Sequence, residues 1–169
     1  AMWSGPRNIS TAMMRSFEGR GDCFVSDEPL YAHYLQETQR QHPGFDAIIR
    51  SQSTDWKRVT RQLTGTIPNG KQYWYQKHMT HHMLPMIGHE WLASLQHCFL
   101  IRDPRMVLSS YAKRRAQVSF VDLGFVEQKQ LFEVICQDLG HEPLVLDSRD
   151  VLKSPEAVLS RLCDRLGIP

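Results

Sequence analysis

Ala1-Met2-Trp3-Ser4-Gly5-Pro6-Arg7-Asn8-Ile9-Ser10-Thr11-Ala12-Met13-Met14 is the stretch from which the rest of the chain is read. An apolar stub runs into a tight Ser-Gly-Pro turn. An Arg follows, and two hydroxyl residues open a segment in which Ile9, Met13 and Phe17 recur at helical spacing. The pattern predicts strand, loop, helix. The first N–H groups of a helix lack intrahelical acceptors and the dipole is positive there, so such a junction attracts an anion. The Walker phosphate loop has Gly, four residues, then Gly-Lys and Ser or Thr. Gly5 and Ser10-Thr11 fit it, the second Gly and the Lys are absent, and the positive charge sits at Arg7. Taken alone, the stretch reads equally as an ordinary strand-to-helix turn with a Ser cap.

Working outward, 169 residues allow one core and a single domain over 1–169. With 41% hydrophobic and 22% charged residues the composition is that of a soluble globular protein, and no apolar run is long enough to cross a membrane. A net charge of +2 is too balanced to imply a nucleic-acid partner, so any anion site must be local. Cys23, Cys98, Cys136 and Cys163 form no Cys-x-x-Cys pair and sit among apolar neighbours, which predicts free thiols in a reducing cytoplasm. A first strand of about three residues and an end straight after a helix, at Leu166-Gly167-Ile168-Pro169, suggest an incomplete domain.

Along the chain, Cys23 to Ser26 reads as a buried strand, with Asp27 capping a helix through Leu30, Tyr31, Tyr34, Leu35 and Thr38. Residues 43–53 read as a loop, Ser53 or Thr54 caps a helix through Trp56, Val59 and Leu63, and 65–72 is a second loop. Tyr73-Trp74-Tyr75 is a strand candidate that delivers Lys77 and His78 beyond its end. A short helix surrounds Trp91 and Leu95, and Cys98-Phe99-Leu100-Ile101 is a strand covered on both faces. A helix follows from Pro104, another runs from about Asp122 to Leu139, Leu144-Val145-Leu146 is a strand, and Ser154-Pro155-Glu156 begins the last helix. Such alternation predicts an α/β fold, a three-layer sandwich with a central parallel sheet of about five strands and helices on both faces. Ligands of such sheets bind beyond the strands' carboxyl ends, where Arg7, Asp27, Lys77, His78 and Arg102 are expected.

Arg102-Asp103-Pro104-Arg105 and the following Ser109-Ser110-Tyr111 form a second anion candidate. A guanidinium at a strand end offers a planar fork of donors, and a helical Ser leans back toward the N-terminus to add another. The competing reading is a solvated Arg102–Asp103 pair at a helix start.

Together these segments resemble the sulfotransferases. Ser4 to Thr11 is similar to their 5′-phosphosulfate loop, and Arg102 to Tyr111, with Arg102 and Ser110 eight positions apart, to their 3′-phosphate motif. Lys77-His78-Met79 followed by Met83-Leu84-Pro85 resembles the segment holding the family's catalytic histidine, with His78 at that position. The likeness is to a P-loop, PAPS-dependent type, in particular a bacterial branch of unproven activity with Ser-Gly-Pro-Arg-Asn, Asp-Glu-Pro and Lys-His-Met-Thr-His-His segments. Two departures stand out: Arg7 replaces the Lys of the cytosolic enzymes, and by the resemblance the chain is expected to lack the C-terminal segment that helps to close the site in relatives.

The resemblance implies transfer of a sulfuryl group from 3′-phosphoadenosine 5′-phosphosulfate to a hydroxyl or amine of a small-molecule acceptor, with no metal. It implies a donor held by Gly5, Pro6, Arg7, Asn8, Ser10, Thr11, Arg102 and Ser110, with His78 as base and Arg7 and Lys77 on the reacting group. Other readings compete: a nucleotide kinase-like enzyme on the degenerate loop, or a non-catalytic nucleotide-binding relative. For His78 itself, a structural histidine or a metal ligand with His81 and His82 also compete. Nothing in the residues fixes the acceptor or the oligomeric state.

Overall fold

The computed structural model describes residues 1–112 and 123–169. Five strands, β1 (Met2–Ser4), β2 (Cys23–Asp27), β3 (Tyr73–Met79), β4 (Cys98–Ile101) and β5 (Leu144–Asp147), form one sheet in the order β2-β3-β1-β4-β5. Every pairing is parallel, so each connection must cross back over the sheet. The connections carry α1 (Ser10–Glu18), α2 (Tyr31–Thr38), α3 (Phe45–Ser51), α4 (Trp56–Leu63), α5 (Pro104–Ala112) and α6 (Phe125–Leu139), except that from β3 to β4, which has 3-10 helices at Thr80–His82 and Glu90–Ser94; α7 (Ser148–Lys153) and α8 (Pro155–Leu166) follow β5.

On one face of the sheet, Met13, Met14 and Phe17 of α1 and Leu162 of α8 pack with Met2, Tyr75, Leu100 and Leu146. On the other, Val59 and Leu63 of α4 and Leu131 and Ile135 of α6 close over Trp3 and Phe99. Central β1 therefore sends Met2 one way and Trp3 the other, as a strand covered on both sides must. The expected α/β layering is what the chain adopts.

Several local expectations need correction. β3 runs four residues past Tyr75, to Met79, because β2 and β1 both pair with that segment: Asp27 faces Lys77, Trp3 faces His78 and Ser4 faces Met79. Its polar sequence hid this, since ladder partners rather than β-propensity make the strand. Residues 43–53 are not all loop but contain α3, a helix with no buried residue. The cap of α4 is Asp55, whose Oδ1 accepts from the N–H groups of Lys57 and Arg58 at 2.9 and 3.2 Å, in place of Ser53 or Thr54. Asp27 caps nothing; Leu30 precedes α2, and the Asp27 carboxylate turns to Lys77. The helix start expected near Asp122 lies outside the described residues, and the described part of α6 begins at Phe125.

Candidate functional site

Four strands end at one edge and deliver the site. β1 leads to the Gly5–Ile9 loop, β2 to Glu28, β3 to a 3-10 turn at Thr80–His82, and β4 to Arg102. In the loop, Arg7 (φ 59°) and Ile9 (φ 47°, ψ 12°) are left-handed, with Asn8 between them at negative φ. A β-branched residue in that region costs about 1–2 kcal/mol, so the surroundings must impose it. Backbone that alternates in hand turns successive N–H groups into one concavity, which favours an anion.

Packing fixes the loop. A methyl group on Gly5 would lie 2.9 Å from the Leu123 carbonyl oxygen, so only glycine passes there. The Asn8 amide donates to the Leu100 carbonyl oxygen at the end of β4, which also accepts from Gln128 Nε2 of α6 at 3.0 Å. The Asn8 side chain is thus a brace inside the fold, leaving its main chain for a ligand. Ser10 is the buried first residue of α1 and Thr11 the exposed second. Sequence reasoning missed Gln128, which sits in an otherwise ordinary amphipathic helix.

The two anion candidates share one rim. Arg102 Nη1 donates to the Arg7 carbonyl oxygen at 2.7 Å, and Arg7 Nε donates to Ser110 Oγ at 2.9 Å. Arg7 is exposed and Arg102 and Ser110 half-buried, so two guanidinium groups and a hydroxyl gather beside the N-terminus of α1.

Lys77 and His78 behave otherwise. Lys77 is buried, with Nζ bonded to Asp27 Oδ1 at 2.6 Å and to Glu28 Oε1. Burial works against its charge, but Glu28 and Asp27 outweigh that and raise the ammonium pKa. Its donors are spent on two carboxylates, not on the loop.

His78, 1% exposed, stacks on Trp3 at 4.3 Å and 24° and lies 5.9 Å from the Trp91 ring, with Nε2 3.3 Å from Gln76 Oε1. Burial holds its imidazole well below the usual histidine range. The four further residues of β3, paired with β1 through Met79, hold the His78 ring in the core, whereas a base was expected past the sheet edge. His81 and His82 pack on Tyr34, whereas His78 stacks on Trp3, and among the described residues no three His, Cys, Asp or Glu side chains gather as a metal site.

Beside the loop a cavity of about 350 Å³ opens between Pro6, Glu28, Tyr31, Tyr34, His82 and Tyr111. Its aromatic wall went unnoticed because Tyr31 and Tyr34 read simply as the apolar face of α2.

Residues 1–169 match the family described as Sulfotransferase domain. The chain belongs to the sulfotransferase family. Two Arabidopsis thaliana proteins named branched-chain-amino-acid aminotransferase-like protein 2 and protein 1 are each 35% identical to it over 99% of the chain. The chain spans 29% and 30% of their respective lengths. Among solved structures, a sulfotransferase from Alicyclobacillus acidocaldarius superposes with a TM-score of 0.60 at 13% identity, covering 99% of this chain and 81% of that one. The sulfotransferase domain of the Synechococcus PCC 7002 olefin synthase superposes with a TM-score of 0.52 at 15% identity, covering 99% and 72%. At such identities these two bear on the fold. Among the described residues, no helix of this sulfotransferase-family chain is long and apolar enough to cross a membrane.

Proposed function

We propose that this chain binds 3′-phosphoadenosine 5′-phosphosulfate and moves its sulfuryl group to a hydroxyl or amine of a small-molecule acceptor. The observation that carries the reading is the contact chain Arg102–Arg7–Ser110, which puts the residues resembling the 3′-phosphate motif on the rim of the loop resembling the 5′-phosphosulfate site. The left-handed turns at Arg7 and Ile9 fit an oxyanion, as does the start of α1.

In this reading the loop N–H groups with Ser10 and Thr11 hold the 5′-phosphate, and Arg102 with Ser110 holds the 3′-phosphate. Arg7 leaves Ser110 to face the charge that grows on the departing oxygen. The bound donor supplies an activated sulfuryl group, and the protein's part is positioning and electrostatic stabilisation. Lys77, held by Asp27 and Glu28, sets the position of Glu28 at the cavity.

Calorimetric titration with 3′-phosphoadenosine 5′-phosphate tests the reading. Micromolar binding that weakens at least tenfold for adenosine 5′-phosphate is expected. No binding at high micromolar ligand, or equal binding of the two nucleotides, would remove it.

A further inference from the structure

We propose that Gln128 is a positioning residue for the donor: through the Leu100 carbonyl oxygen it holds the Gly5–Ile9 loop in the form that faces an anion. The proposal rests on the donor reading above and adds a residue of α6 to the machinery of that site.

The first sign is a polar residue where the helix asks for an apolar one. Gln128, Leu131 and Ile135 are the buried residues of α6, spaced as one face of a helix. Leu131 and Ile135 belong to the core over Trp3 and Phe99, and Gln128 is itself only 7% exposed. A buried amide costs free energy unless it is hydrogen-bonded, so packing alone favours Leu or Met at this place.

The partner of the amide accounts for the exception. Leu100 pairs with Ser4, the last residue of β1, and so lies where the chain leaves the sheet for the donor loop. Its carbonyl oxygen accepts from Gln128 Nε2 at 3.0 Å and from Asn8 Nδ2. Such an oxygen has two lone pairs. Gln128 occupies one and leaves the other to Asn8, the residue between left-handed Arg7 and Ile9. A methyl group on Gly5 would lie 3.8 Å from Gln128 Oε1, so the same amide also borders the start of the loop.

The main chain of Gln128 is fixed as well. Its N–H donates to the Gly124 carbonyl oxygen at 3.0 Å. Thr80 Oγ1, fully buried, lies 3.4 Å from that oxygen and 3.4 Å from the Ser4 carbonyl oxygen. The start of α6, the turn after β3 and the end of β1 therefore meet at one point, and α6 cannot slide without disturbing all three.

What Gln128 supplies is preorganisation. Left-handed backbone at two non-glycine residues is not a loop's resting state. A loop that must be reordered as the nucleotide arrives gives up affinity. Gln128 acts on the nucleotide through Asn8 and the loop main chain.

The test is made on the intact chain, with calorimetric titration of 3′-phosphoadenosine 5′-phosphate under conditions where each variant is fully folded, and with thermal melting. Gln128→Met keeps the length and apolar fit of the side chain but cannot donate. Its melting temperature should stay within about 3 °C of the unaltered chain, while the nucleotide binds about fivefold more weakly or worse. In an Asn8→Ala background the same change should alter affinity by less than about twofold, because its route to the loop is already cut. Should Gln128→Met fail to fold, Gln128→Leu takes its place under the same criteria.

Affinity within about twofold of the unaltered chain in the folded Gln128 variant overturns the proposal and leaves the donor reading standing. An equal loss with and without the Asn8 amide overturns it too, since Gln128 would then act by another route. Absence of nucleotide binding in the unaltered chain removes the donor reading and this one with it.

Discussion

Arg102 Nη1 lies 2.7 Å from the main-chain oxygen of Arg7, so the residue that follows β4 also holds the loop that follows β1. Arg102→Ala should therefore weaken 3′-phosphoadenosine 5′-phosphate binding by roughly 10- to 100-fold, about 1.4–2.8 kcal/mol. Arg102→Lys should recover only part of it, because an ammonium cannot brace the loop and grip a phosphate through one planar fork. Calorimetry with and without the 3′-phosphate separates the two duties: equal losses for both nucleotides would leave Arg102 as a loop brace alone.

Gly5→Ala puts a methyl group 2.9 Å from the Leu123 carbonyl oxygen, and main chain cannot swing aside as a side chain can. Overpacking of this kind typically costs about 1–3 kcal/mol. The variant should melt several degrees lower and bind nucleotide more weakly, since the displaced loop loses its N–H alignment. Unchanged melting would mean that the Leu123–Gly124 corner yields freely.

The layered fold was legible because its signals are local and redundant: the apolar run Cys98–Ile101, the helical spacing of Met13 and Phe17, and turn residues between them. The meeting of Arg7, Arg102 and Ser110 was legible too, since parallel strands all end at one edge and the motif residues sit just past those ends. His78 was not. Whether a residue lies inside a ladder or one step beyond it depends on how far β1 and β2 extend alongside, a non-local fact that Gln76-Lys77-His78-Met79 does not carry. The pairing of Lys77 with Asp27 and Glu28 hid for the same reason, being set by the Asp27–Lys77 register across β2 and β3. The packing of His82 on Tyr31 and Tyr34 is equally non-local, since those rings lie some fifty residues earlier in the chain.

His78→Ala should act on stability. Removing a ring stacked on Trp3 at 4.3 Å leaves a cavity between Trp3 and Trp91, at a cost of about 2–4 kcal/mol. Urea denaturation should show that loss, while the folded fraction binds 3′-phosphoadenosine 5′-phosphate normally. A stable variant with transfer abolished would return His78 to the chemistry.

Lys77→Met leaves the Asp27 and Glu28 carboxylates side by side without their cation. Breaking a buried pair by removing one partner costs about 3–5 kcal/mol, and the exposure of Asp27 lowers the expectation to roughly 2–3. Adding Glu28→Gln should restore part of the loss in urea melts. If the double change proved no better than the single one, repulsion between the two acids would not be the cause.

Acid should destabilise the fold through its buried imidazoles before most carboxylates are protonated. Trp3 Nε1 donates to His97 Nδ1 at 3.0 Å, so His97 carries its proton on Nε2, which donates to the Leu92 carbonyl oxygen at 2.9 Å. A second proton on Nδ1 would break the bond to Trp3, and burial holds the His97 pKa down to about 4. His78 and His82 are likewise held well below the ordinary value by burial. In the unfolded chain each takes up a proton near pH ~6.5, so between that value and the folded pKa the unfolded state binds more protons. The stability is therefore fully present above about pH 6.5 and falls as the pH drops, by up to roughly 2–3 kcal/mol from His97 alone by pH ~4. Urea midpoints at pH 7.5, 6.5, 5.5 and 5.0 should decline over the last three, and His97→Gln should flatten the slope while lowering the plateau. A midpoint constant from pH 7.5 to 5.0 in the unaltered chain would mean that these rings reach solvent and charge freely in the folded state.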